Sequence, residues 1–246
     1  MTALLTQKIA NAIVIAEGQL SLAPKAHRAM TKEDYIHAVL REGIVSGLLE
    51  PGVHLRVADI AEALGASAIP VRTALRNLAR DELVTVEPHV GAYVTDMPVA
   101  TLIELVEIRS VLEQYALASV LMPVDEATID ELNQLCTDMD GAIGADAPRR
   151  YARLNTAFHR IIYRLSQNKT LIDLLASLEL RSERGQAAFL SNRDRMRHSV
   201  SEHREIVAAL RAGKLQVARK LIDDHRNAAQ RAIISVVRSQ EERKNG

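Results

Sequence analysis

Four side chains in the C-terminal half carry atoms that bind metal ions: the amide oxygen of Asn155 and the imidazoles of His159, His203 and His225. Asn155 and His159 are four residues apart, so on a helix both point the same way. His203 and His225 fall in two later helical patterns, and three helices can aim four donors into one cavity, as helical bundles do when they hold metals. On spacing alone the signal is weak, because a helical histidine is more often a surface residue or a satisfied core one. His198 lies five residues before His203 and does not share its face. A second chemistry belongs to residues 68–80, which hold three arginines and no acid. A guanidinium pairs with guanine O6/N7 or with phosphate, so such a face can enter the major groove of DNA. The same face can equally be solvated surface.

Composition bounds the scaffold. The chain has 246 residues, 48% hydrophobic and 25% charged, which is ordinary for a globular protein. Aromatics are only 3%, with no Trp. Sheets draw on aromatic and β-branched residues, so the scarcity points to helix. The single cysteine, Cys136, excludes an intramolecular disulfide and a multi-cysteine zinc cluster, and it fits a reducing, cytoplasmic compartment. No membrane span or export signal is expected: the apolar run 9–16 is broken by Asn11, flanked by Lys8 and Glu17, and far short of ~20 residues. Basic and acidic residues balance at 31 each, with 9 basic and 11 acidic before Pro98. Bulk charge therefore does not announce nucleic acid, and a DNA contact must rest on local geometry.

The elements that must position these groups follow from periodicity and capping. Residues 1–30 read as an N-terminal extension, with a short helix on the spacing of Leu5, Ile9 and Ile13 and a linker at 22–25. Thr31 is a good N-cap for the next helix, with Glu33 and Asp34 in its first turn. A short helix at 58–64 is stopped by Gly65, and Ser67 caps another that runs to about residue 81, with Pro70 in its first turn. In that helix Val71, Leu75 and Leu78 face inward, leaving Ile69, Arg72, Thr73 and Arg76 outward. Two β-prone runs, 83–87 and 92–95, are joined through His89 and Gly91 into a hairpin, with Gly91 free to take positive φ. A helix-turn-helix with such a wing is a DNA-binding unit, here residues 31–97. Beyond Pro98, six helical patterns (99–122, 125–143, 148–166, 169–190, 195–211 and 214–240) form an all-α antiparallel bundle over 98–240, followed by a frayed tail at 241–246. The expected fold is mainly α: an N-terminal winged helix-turn-helix plus a C-terminal helical bundle.

Residues 35–95 resemble the winged helix-turn-helix of the GntR family of bacterial transcription regulators. The resemblance is carried by Ile44-Val-Ser46-Gly47-x-Leu49-x-Pro51-Gly52, Ala61-Glu-Ala-Leu64-Gly65-x-Ser67, Pro70-Val71-Arg72-x-Ala74-Leu75-Arg76-x-Leu78 and Gly91-Ala-Tyr-Val94. Leu105-Val-Glu107-Ile108-Arg109-x-x-Leu112-Glu113 resembles the opening helix of the effector domain (FCD) of the FadR-type subfamily. The resemblance implies a double-stranded DNA operator contacted by Ser67, Ile69, Arg72, Thr73 and Arg76, and by His89 and Gly91 of the wing. It also implies a homodimer, a divalent metal ion on Asn155, His159, His203 and His225 (zinc before nickel or manganese), and Arg109 beside a small carboxylate or sugar-acid effector.

Departures from the family pattern carry consequences. Ala68 stands where the family usually has arginine, and Ala58 where a basic residue is common. Each lost bidentate base contact is worth ~1–3 kcal/mol, so the operator is this chain's own. Asn155 replaces the usual aspartate. An amide oxygen is a weaker ligand than a carboxylate, and with three neutral imidazoles it leaves the charge of a divalent ion uncompensated, which favours an anionic effector. The reading is an effector-responsive repressor and not an enzyme. Its alternatives are a regulator that responds to the metal ion itself and a helical metalloenzyme, the latter lacking a general base placed by motif near His159.

Overall fold

The computed structural model describes residues 2–20, 30–88, 90–120, 123–189 and 193–245, which divide into two compact units, Met1–Pro98 and Val99–Gly246. The expected linker at 22–25 and the wing residue His89 lie outside the described residues.

The first unit orders α1 (Thr2–Leu20), α2 (Lys32–Val45), α3 (Val57–Ala63), α4 (Ala68–Arg80) and an antiparallel hairpin of β1 (Val84–Glu87) and β2 (Gly91–Val94). At the start of α2, Thr31 Oγ1 accepts the Asp34 amide (3.2 Å) while the Asp34 carboxylate accepts the Thr31 amide (3.3 Å), a reciprocal capping box. The turn from α3 to α4 runs through Gly65 at φ +56°. Helix α4 buries Val71, Ala74, Leu75 and Leu78 and leaves its other side to solvent. Residues 53–55 line the free edge of β2, through Val94 N–H to Val53 (3.0 Å) and Leu55 N–H to Ala92 (2.7 Å). There the His54 ring stacks on Tyr93, centroids 4.6 Å apart. Gly91 sits under it at φ +144°, and a Cβ at that position would lie 2.3 Å from His54 Nε2. Only glycine fits.

Helix α1 corrects the expectation of a short appended helix. It is 19 residues long and buries Leu5, Ile9, Ala12 and Ala16 in the same core as α2 to α4. Helix α2 makes room with Gly43, where a Cβ would come within 2.8 Å of Leu49 Cδ1 and 3.2 Å of Ala12 Cβ. Polar contacts flank the seam: Tyr35 donates to Glu17 at 2.9 Å, and Lys8 pairs with Glu50 at 3.4 Å.

The second unit is helical: α5 (Val99–Ala118), α6 (Glu126–Gly144), α7 (Pro148–Arg164), α8 (Lys169–Phe189), α9 (Arg193–Arg211) and α10 (Leu215–Asn245). Asp125 caps α6 by accepting the Thr128 amide at 2.8 Å, and Pro148 opens α7, where a missing N–H costs little. Residues from α6, α7, α9 and α10, among them Ile129, Leu132, Phe158, Val200 and Ile222, close one core. Cys136 is buried in it, and desolvation pushes its thiol up to about 11. Ala116, Tyr163, Leu171 and Leu175 close a smaller core among α5, α7 and α8. Helix α10 continues to Asn245 through residues of good helix propensity, so the expected frayed tail at 241–246 is helical up to that point. Among the described residues no helix is long and apolar enough to cross a membrane.

Burial of Ile9 makes α1 part of the fold. Ile9→Ala should lower the unfolding free energy by roughly 2–5 kcal/mol, whereas Val14→Ala, 71% exposed on the same helix, should stay within about 0.5 kcal/mol. Urea denaturation of the two variants checks this; equal midpoints would remove α1 from the core.

Candidate metal centre and nucleic-acid interface

Helices α7, α9 and α10 bring His159, His203 and His225 together, with exposures of 5%, 0% and 3%. Their Nε2 atoms form a triangle with all three sides 3.3 Å. Three corners of a tetrahedron with that edge lie about 2.0 Å from its centre, the zinc–imidazole bond length. Phe158 stacks on His203, centroids 4.1 Å apart, and holds that ring from behind. Burial, followed by the neighbouring imidazoles, pushes His159 and His203 well below the ordinary histidine range, so both are neutral and offer lone pairs.

The orientation of His225 is fixed from its far side. Its Nδ1 donates to Glu202 at 2.5 Å, leaving the Nε2 lone pair toward the other two histidines. Glu202 is itself gripped by both terminal nitrogens of Arg195, at 3.1 and 3.0 Å. Burial works against the ionised carboxyl, but the hydrogen bonds from His225 and Arg195 prevail and hold it at about 2. A carboxylate behind a ligating imidazole fixes its tautomer and raises its basicity. His198 is exposed and stands 3.6 Å from Glu202 on the outer side.

Next to His159 a small pocket is lined by Asn155, Thr156, Arg109, Glu113 and Arg226. Asn155 Oδ1 is buried there with no hydrogen-bond partner, a rare condition for a carbonyl oxygen and one that a bound cation would relieve. Arg109 donates to Glu113 at 2.8 Å and to Ser182 at 2.7 Å. Arg109 thus forms an i, i+4 ion pair on α5, and it also faces the pocket. Arg226, 8% exposed, pairs with Glu113 and donates to the Tyr163 hydroxyl, while its Nε–H is buried without an acceptor. Desolvation, then the nearby Arg109, disfavours its charge.

Sequence reasoning singled out Asn155, His159, His203, His225 and Arg109, and the structure gathers all five around one pocket and its adjoining imidazoles. It missed Glu202 and Arg226. Each directly follows or precedes a named histidine, and a helical projection places each on a neighbouring face aimed at a different helix.

In the first unit the groove-facing candidates lie on α4. Ile69 is 77% exposed, and Arg72 and Arg76 are also exposed. Ser67 occupies the N-cap but makes no side-chain cap bond, a correction to its expected role: its hydroxyl is exposed instead of being folded back on the helix. Thr73 turns its hydroxyl onto the Ile69 carbonyl at 3.2 Å. Gly91 shapes the wing through its fit under His54.

Removing the Glu202 carboxylate should loosen a metal bound by the imidazoles while leaving the ligands in place. In Glu202→Gln the zinc dissociation constant is expected to rise about 10–100-fold, read by competition with a chromophoric chelator; an unchanged constant would mean that His225 needs no such support.

Residues 104–228 match the FCD domain and residues 32–94 match the description "Bacterial regulatory proteins, gntR family". A transcriptional repressor of Paenarthrobacter nicotinovorans named for a D-xylose utilization operon is 31% identical over 182 residues, covering 74% of this chain and 80% of that protein. The HTH-type transcriptional regulator YdhC of Bacillus subtilis is 29% identical over 137 residues, 55% of this chain and 61% of its own length. The solved structure of Escherichia coli McbR/YncC shares the fold at a TM-score of 0.72 and 23% identity, covering 86% of this chain and 99% of that one. The relatives are transcriptional regulators and not enzymes. With a gntR-type helix-turn-helix in its first unit and an FCD domain in its second, the chain belongs to the GntR family of DNA-binding bacterial transcription regulators.

Proposed function

We propose that this regulator is a cytoplasmic, homodimeric repressor of the FadR type, whose grip on its operator changes when a small carboxylate or sugar acid enters a metal-bearing pocket in the second unit. The observation that carries this reading is the 3.3 Å triangle of buried imidazole nitrogens beside the buried Arg226 and the half-buried Arg109. Asn155, His159, His203 and His225 would hold the ion, and the edge length favours zinc in tetrahedral coordination over nickel or manganese. When bound, the ion supplies a positive centre that an effector carboxylate completes. Arg109 and Arg226 add cationic donors suited to a carboxylate, and Glu202 keeps the His225 proton away from the pocket. Relatives named for gluconate and D-xylose operons fit a sugar-derived effector.

For DNA, Arg72 and Arg76 are the base or phosphate donors on α4, Ile69 is the apolar contact, and Ser67 and Thr73 are supporting polar contacts, with His89 and Gly91 in the wing. Homodimerisation is supported by Ile108, Val111 and Tyr115, which are 53%, 64% and 58% exposed on one stripe of α5. A second reading, with the ion itself as effector, is favoured by the free space in the pocket, about 10 Å³, roughly that of one water.

Thermal-shift measurement against small carboxylates, with and without chelator, tests the main reading. A native-state ligand at a hundredfold excess over Kd adds about 2.7 kcal/mol of stability. Stabilisation that vanishes with chelator is expected; stabilisation that survives it would put the effector on the arginines alone, and operator release by zinc alone would favour the second reading. Asn155→Asp, which adds a charge to the ligand set, should tighten zinc and weaken the carboxylate, and isothermal titration showing carboxylate affinity unchanged or improved would defeat the charge argument. Val111→Glu should convert a dimer to a monomer in light scattering; a dimer that persists would place the interface elsewhere.

A further inference from the structure

Beside the imidazole cluster, two arginines, Arg226 buried and Arg109 half-buried, share one carboxylate. Glu113, 2% exposed, accepts Arg109 Nε at 2.8 Å and also pairs with Arg226. The other acid at the pocket, Glu179, is committed to Arg160 at 2.8 Å, whose side chain is about half exposed. Two guanidiniums thus divide a single negative charge where the free space is about 10 Å³, too little for a hydration shell. The arrangement is also incomplete, because the Arg226 Nε–H remains without an acceptor although Glu113 is in place. A pair of guanidinium forks is a carboxylate receptor, and here the receptor is filled by the chain's own side chain.

We propose that Glu113 is an internal stand-in for the effector's anion: it occupies the Arg109–Arg226 pair in the ligand-free protein, and a small anion binds by displacing it. This rests on the anionic-effector reading above and names the group that the anion must replace. Selectivity follows, since a neutral sugar cannot displace a carboxylate from two cations. So does a route outward. Glu113 and Arg109 both sit on α5, which begins at Val99, the first residue after the DNA-binding unit. Exchange of one carboxylate for another therefore acts on the helix that is covalently next to that unit.

The test is titration of malonate, as probe, into the full-length wild type, Glu113→Gln, Glu113→Asp and Glu179→Gln, each zinc-loaded and chelator-stripped, with calorimetric and thermal-shift readouts. Glu113→Gln should bind malonate roughly tenfold more tightly or better, because the competing carboxylate is gone. It should also melt lower than wild type without malonate and regain more on adding it. Glu113→Asp, whose charge is kept but whose reach is shorter, should fall between, and it decides the matter if Glu113→Gln does not fold. Glu179→Gln should stay within about threefold of wild type, since its effect is only that of a nearby charge. Malonate affinity in Glu113→Gln equal to or weaker than wild type, or matched by Glu179→Gln, overturns the proposal. Tighter binding in Glu113→Gln that ignores the chelator sinks the metal-tethered reading and leaves Glu113 as the stand-in. Metal-dependent binding that Glu113→Gln does not improve does the reverse, and no binding to any variant in either state rejects both.

Discussion

Taking charge out of water is the constraint on which the second unit is built. An isolated buried ion is prohibitive, and a buried pair survives only with good geometry and further hydrogen bonds. Glu113, Glu179, Arg226 and the three histidines are all buried within a bundle whose interior is mostly aliphatic and aromatic. Several are secured through chains of partners: Arg195 holds Glu202, which holds His225, while Ser182 and Glu113 hold Arg109, and Glu113 reaches on to Arg226. These chains run between helices, so the polar groups that are costly to bury also tie α5 to α8 and α10, and α9 to α10. Two groups left without partners, Asn155 Oδ1 and Arg226 Nε, line the same pocket.

The first unit solves a different problem. It must expose a cationic helix face while keeping a small core, and small cores are marginal. Helix α1 enlarges that core with Leu5, Ile9, Ala12 and Ala16, and α4 can then give its outer side to arginines without weakening its inner side of Val71, Leu75 and Leu78.

Much of this was legible in the sequence for identifiable reasons. The α4 face was readable because hydrophobic spacing, the Gly65 turn and the run of arginines all fall within residues 65–80. Helix positions in the second unit followed from sparse glycine and proline. The histidines were another matter: separations of 44 and 22 residues between His159, His203 and His225 carry no geometric information, and only the family resemblance pointed to their meeting. Glu202 and Arg226 were invisible to that resemblance because their roles depend on which helix packs where, a tertiary fact. Helix α1 showed its period but not its destination, since an apolar stripe does not say what it covers. Ser67 shows the limit of a local rule: the residue type suited the N-cap, yet the hydroxyl was left outside.

The glycine at the root of the wing has a consequence on a longer timescale. With His54 stacked on Tyr93 and its ring edge filling the space above Gly91, positions 54, 91 and 93 are sterically bound into one set. A lineage that alters Gly91 must first give up the His54 ring, and one that shortens His54 loses the stack that pins β2. Substitution at the root of the hairpin should therefore be tolerated only when those three positions change as a set.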